Sequence, residues 1–323
     1  MAKLITLDSD QMNILMICFS MIVALVFPFE LFLFSYAVLG PLHYLTEINW
    51  LKSKRYFISS RISSYILIGF VVAIIFVYFS GFLDLNYKGF QFNYYVKISI
   101  TILIFSSFIF VFLLELLEKK IGVLTCLLIA LLLAVLLLKV STGFHILSFI
   151  FLPTLIHVYL FTGLFMLYGY LNSKNKTGLF SIILLSLVPF IIYFLPDKVF
   201  NFFDQSFAEI TYLESDFKQL NEYLLVPFSE AIDSSIGLKI QSFIAFAYTY
   251  HYLNWFGKTN VIGWARSINK KSLVLIVLLW LIAILIYTVD YSIGLIVLFA
   301  MSIGHVLLEF PLNVKSIKAI FRI

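Results

Sequence analysis

The chain has 323 residues, of which 62% are hydrophobic and only 12% charged, and its mean hydropathy is +1.04. An ordinary soluble domain carries roughly 25% charged residues, so this composition excludes one and predicts an integral membrane protein. The net charge of +5 reads as loop orientation and not as a nucleic-acid partner.

Taken in chain order, apolar runs separated by charged or turn residues predict ten spans: 12–28, 29–50, 64–83, 96–117, 121–139, 144–171, 178–195, 238–256, 273–289 and 292–313. The first two are divided at Phe27-Pro28-Phe29-Glu30, because a proline beside a carboxylate suits a tight turn better than mid-bilayer helix. A single tilted helix is the alternative. Residues 1–11 hold Lys3, Asp8 and Asp10, and no small-residue cleavage site follows, so the first span is expected to be retained. Cys18 and Cys126 fall in separate apolar runs and form no disulfide framework.

Loop charge supports this count and sets its direction. Segments 51–63, 172–177 and 257–272 and the C-terminal tail carry most of the lysines and arginines, which places them and both termini in the cytoplasm. The segment 118–120, with Lys119 and Lys120 offset by Glu118, fits less cleanly. Segment 196–237 has Lys198 and Lys218 against eight acidic residues and belongs outside. Phe200, Phe203 and Phe207 recur there at helical spacing and read as aromatic anchors, with short interfacial helices as the alternative. The expected fold is therefore all-α, a polytopic bundle of about ten helices forming one membrane domain.

Ionisable groups inside spans are costly and mark functional sites by default. His43, His157, His251 and His305 lie in spans two, six, eight and ten, which all run from outside to inside. At ~1.5 Å per residue to the first cytoplasmic cation, His43, His305 and His251 share a level about 10–15 Å from it, and His157 is deeper at about 25 Å. His43 and Glu47, and likewise His305 and Glu309, form His-x-x-x-Glu pairs, which place both groups on one helix face. Such a carboxylate can share a metal with the imidazole, or accept its other ring N–H and fix the tautomer. Gly40 and Gly304 precede the two histidines, with Pro41 and Pro311 close by, which permits close helix approach or local unwinding. Span eight adds Tyr248, Tyr250, Asn254 and Trp255 around His251.

The four histidines are thus candidate metal ligands, with Glu47, Glu309, Asn254 and Tyr250 as candidate catalytic groups. Imidazole with carboxylate suits non-haem iron, and zinc, copper and haem remain open. His145 reads as interfacial, Glu30 and Glu115 as solvated span ends, and Asp290 as the cap of a short turn. The chain has no GxSxG, P-loop, GxGxxG or HExxH motif, so hydrolase, NTPase and dinucleotide readings lack support.

The stretch Gly40-Pro41-Leu42-His43-Tyr44-Leu45-Thr46-Glu47 resembles the Gly-x-Pro-His-Gly-x-x-Asp-His signature of the bacterial Brp/Blh family, membrane enzymes that cleave β-carotene to retinal. Glycine, histidine and an acid four residues on are kept. The proline comes one residue early, Tyr44 stands where the family has glycine, and Ile48 stands where it has a second histidine. Trp255 likewise stands four residues beyond His251, where the family's His-x-x-x-His would need histidine. The resemblance implies ferrous iron held by histidines of several helices, O₂ and a lipophilic substrate such as a carotenoid as partners, and a bacterial inner membrane. Glu47 and Glu309 would then orient the ligands. Two other functions stay open: a transporter relaying protons through buried His and Glu, and an acyl- or glycosyl-transferase using a membrane histidine or the external acidic loop, where Asp204, Glu209 or Asp216 would act.

Overall fold

The structure is a computed structural model that describes residues 9–54, 61–84, 90–117, 121–140, 147–199, 207–213 and 218–321. Helix accounts for 92% of these residues, and no strand occurs among them. The reason is composition: long apolar runs in a bilayer must satisfy every backbone N–H and C=O within the segment, and helix does so.

The helices are α1 (Ser9–Val26), α2 (Pro28–Phe34), α3 (Gly40–Lys54), α4 (Arg61–Asp84), α5 (Phe90–Leu117), α6 (Val123–Val140), α7 (Thr162–Ser173), α8 (Lys176–Phe194), α9 (Phe207–Leu213), α10 (Lys218–Leu225), α11 (Ser235–Gly257), α12 (Thr259–Ile262), α13 (Lys270–Val289) and α14 (Tyr291–Phe321). A π turn, Ser35–Leu39, joins α2 to α3, and a longer π segment, Leu147–Phe161, leads into α7. Every predicted span meets a helix. Among the described residues, eight helical stretches are long and apolar enough to cross a membrane. The other two predicted spans fall on α6, whose apolar stretch Val123–Lys139 is shorter, and on α11, whose 23 residues are diluted by polar groups such as Gln241, Ser242, Thr249, His251 and Asn254.

The division at Pro28 holds. Phe27 leaves helical geometry at φ −136°, ψ 65°, and Pro28 opens α2 at the position where a missing N–H costs nothing. Other helix starts also follow local chemistry: the side chains of Asn175, Ser234 and Asn269 accept from the first-turn N–H groups of Thr177, Gly237 and Ser272. Asp290 caps as expected, its Oδ1 accepting from the Ile293 N–H at 2.9 Å.

The chain forms two compact units, residues 1–43 with 158–266, and residues 44–157 with 267–323. The chain passes from one to the other inside α3, inside the π segment and after Arg266. In the first unit α1 packs on α11 and α8, and α2 packs on α11. Buried polar pairs tie it together, including Ser35 to Thr249 at 2.7 Å. A further chain runs from the Tyr212 hydroxyl to Asn221, on to Gln241 and then to the Pro28 carbonyl. It anchors the short helices α9 and α10 of the acidic segment on α11 and α2. Lys239 donates to Asp197 at 2.8 Å, and this hydrogen bond, with a second from Ser235, holds the exposed Asp197 carboxyl below its ordinary range.

In the second unit α5 packs on α4 and α6, and α14 packs on α13, α5 and α4. Glu115 departs from expectation here: its side chain is only 12% exposed and stands 3.6 Å from Lys315, while Lys318 donates to its backbone carbonyl at 2.8 Å. The physical reason is that α14 continues past the predicted span end to Phe321, bringing its lysines to the end of α5. Glu30 is exposed, as expected.

Candidate metal centre

In the second unit α14 presents His305, Glu309 and Asn313 at successive i, i+4, i+8 positions, all three buried. The α3 helix brings Glu47 to the same place, its Oε2 lying 3.0 Å from His305 Nε2. Glu309 Oε2 stands 3.4 Å from His305 Nε2 and 3.4 Å from His157 Nε2. The imidazoles of His157 and His305 meet edge to face at 4.9 Å between centroids, and the Tyr44 ring stacks on His305 at 4.7 Å.

The intrahelical pairing is seen at His305 and Glu309, which share a face of α14. Glu47 in addition meets an imidazole of a different helix, His305. Both carboxylates approach the Nε2 edge of His305, the arrangement of a shared ligand site and not that of a carboxylate on the far ring nitrogen. His157 also corrects the expectation that it lies deeper than His305, since the two rings touch. Counting to Lys174 measures where α7 ends rather than the depth of the histidine. Pro153 lies in the π segment, and Thr154 leaves helical geometry there at φ −110°, ψ −107°, re-aiming the turn that carries His157.

Donor spacing tests whether a metal fits. His157, His305 and Glu309 offer ligand atoms that all lie within 4.8 Å of one another. The 3.4 Å separations at Glu309 exceed the usual N–H···O range of about 2.7–3.2 Å. They match the about 3.3 Å between two ligands of one tetrahedral ion at about 2.05 Å. Charge count is compatible as well: Glu47 and Glu309 are two carboxylates in one buried site, and in their ionised form they match the charge of one divalent cation.

In the first unit, His43 and His251 bring their Nε2 atoms to 3.1 Å, with the rings edge to face. The Thr162 hydroxyl lies 2.8 Å from His251 Nδ1 and donates its own proton to the Val158 carbonyl at 2.9 Å. Having spent that proton, the hydroxyl accepts from His251 Nδ1–H. This tautomer leaves His251 Nε2 as a bare lone pair facing His43. Tyr252 and Trp255 wall the His43 ring at 5.2 and 5.5 Å.

Of the candidate catalytic groups, Tyr250 donates to Met166 Sδ at 3.1 Å and stacks on Phe246. Asn254 is buried one turn beyond, with no hydrogen-bond partner for its Oδ1 among the described residues. Glu209 is buried on α9. His145, Asp204, Asp216, Phe200, Phe203 and the 118–120 segment lie outside the described residues. Sequence reasoning missed Thr162 and the stacking role of Tyr44. A threonine one turn beyond a span histidine is a weak signal, whereas the His305-Glu309-Asn313 line was open to view at four-residue spacing.

Fold and site together define an all-α polytopic membrane protein with buried imidazole and carboxylate groups at metal-ligand spacing. No protein-family model, no curated protein and no solved structure matches the chain.

Proposed function

We propose that the protein is a metal-dependent membrane oxygenase acting on a lipophilic substrate, with non-haem iron bound by His157, His305 and Glu309. The observation that carries this reading is the convergence of those three side chains at ligand spacing in a buried site. The donor set of imidazole and carboxylate suits ferrous iron, and zinc and copper are its competitors in any metal analysis. Ferrous iron held there supplies activation of O₂ toward an apolar substrate.

The chain's own residues prepare the site. Glu309 faces both imidazoles, so its charge draws the cation to their shared edge. Glu47 adds a second charge at His305, and Tyr44 fixes the plane of that ring by stacking. His43 and His251 offer a second pair of nitrogen donors, with Thr162 holding the His251 tautomer. The resemblance of Gly40–Glu47 to the Brp/Blh signature supports this reading, and it points to a carotenoid as substrate and to a bacterial inner membrane.

Metal analysis of detergent-purified protein is the test. Near-stoichiometric iron that falls about tenfold or more in His305→Ala and Glu309→Ala is the expected result. Protein that purifies without metal and keeps its activity overturns the reading. Loss of colour on expression in carotenoid-producing cells identifies the substrate class.

A second reading rests on the unbroken series His157, Glu309, His305 and Glu47, whose neighbours stand 3.4, 3.4 and 3.0 Å apart. Such spacing also suits a proton relay in a coupled transporter. Proton flux into vesicles carrying metal-free protein, abolished by Glu309→Gln, would favour it over the oxygenase.

A further inference from the structure

The second unit carries an open cavity of about 330 Å³ between α4 and α14, walled by Val71 and Ile75 on α4, Ala300, Gly304 and Leu308 on α14, and Ile48 on α3. Every residue of its wall is apolar. Three of them are sequence neighbours of the groups described above: Ile48 follows Glu47, Gly304 precedes His305 and Leu308 precedes Glu309. Successive helical residues point about 100° apart. The same turns of α3 and α14 that aim the carboxylates and His305 inward therefore build this groove.

The two long walls run antiparallel. Val71 lies level with Gly304, and eight residues on Phe79 reaches the Val297 end, where Tyr78 stacks on Phe299 at 4.4 Å. From Val71 to Phe79 the groove extends about 12 Å along the helix axis. At roughly 30 Å³ for a water-sized group, its volume holds a chain of about ten carbons.

We infer that this groove is the hydrocarbon subsite of the proposed enzyme and that Gly304 sets its depth beside His305. The inference rests on the oxygenase reading for the identity of the occupant as substrate. The occupant is a hydrocarbon chain free of polar substituents, because a hydroxyl or carbonyl in that segment would meet no polar partner on the walls and would lose its hydration. Glycine at 304 is what leaves the space open. A methyl group there would lie 3.4 Å from Val71 Cγ1, so alanine fits in ordinary contact, while a longer side chain must occupy the groove itself.

Photolabelling in bilayer nanodiscs tests this with palmitic acid carrying a diazirine at its methyl end. The expected result is adduct density on residues 71–79 and 297–308 about tenfold above that on the exposed apolar face of α13, represented by Leu273, Val274 and Leu278. Ala300→Phe and Gly304→Leu should each remove the excess, Gly304→Ala should keep it, and iron content should be unchanged in Ala300→Phe. Labelling of the groove no denser than that of α13, or an excess that survives both bulky substitutions, overturns the inference. Iron-loaded protein without preferential labelling defeats the groove alone. Iron-free protein with a labelled groove upholds the chain site and defeats the oxygenase reading.

Discussion

His305 Nε2 stands 3.0 Å from Glu47 Oε2, a contact between two side chains 258 positions apart, both almost fully buried. Removing either partner takes from the other its shortest charge contact in a low-dielectric interior, a loss of up to about 3–5 kcal/mol, softened for His305 by Glu309 at 3.4 Å. Removing both together strands neither of them. In metal-stripped protein, Glu47→Leu and His305→Leu should each destabilise the fold strongly, with a coupling of about 2 kcal/mol in the double-mutant cycle. Reversible unfolding in mixed micelles measures it, and additive single effects would show that the pair makes no energetic contact.

Thr162 holds His251 in one tautomer by accepting from Nδ1–H. Thr162→Val keeps the volume and removes the acceptor, which should cost about 1–3 kcal/mol for the stranded donor. Imidazole ¹⁵N shifts of His251 should move from a single Nδ1–H form to a mixture. An unchanged spectrum would mean that another group sets the tautomer.

Lys258, just past the end of α11, is pushed by burial from its ordinary value of 10.5 to about 8, with the Asp10 carboxylate opposing the shift. The folded protein therefore releases this proton before the unfolded chain does. Between about pH 8 and 10.5 the unfolded state binds more protons, so stability rises with pH across that window. Lys258→Met should be more stable than the parent at pH 7 and should lose this part of the rise. Melting curves from pH 7 to 10.5 provide the comparison, and parallel slopes would contradict it.

The turn between α13 and α14 separates a capping effect from a steric one. Asp290→Ala loses the hydrogen bond to Ile293 N–H and should cost about 1 kcal/mol, with Asp290→Ser restoring most of it. Gly294→Ala should cost more, because a Cβ there would overlap the backbone of Tyr287. Equal losses in thermal melts of the two alanine variants would argue against so tight an approach.

The break at Pro28, the helix under each predicted span and the Asp290 cap were legible because each depends on local chemistry: a missing N–H, the length of an apolar run, a carboxylate at a helix start. One group was read less well for a reason equally physical: Glu115 reads as a solvated end only until the continuation of α14 supplies its lysines. The polar side chains of α11 lower its hydropathy, yet its span was legible, and those side chains find partners on other elements, Gln241 at the Pro28 carbonyl, Thr249 at Ser35 and His251 at Thr162.

The sequence by itself determined that this is an all-helical membrane protein and that four histidines and two glutamates lie within its spans, since composition and hydrophobic run length act along the chain. Which imidazole meets which carboxylate was decided by tertiary structure alone. A four-residue spacing puts two groups on one helix face, but helix packing and the departure at Thr154 choose the partner. For that reason His157 and Glu47 both converge on the His305 and Glu309 face of α14, while His251 turns to His43 and Thr162.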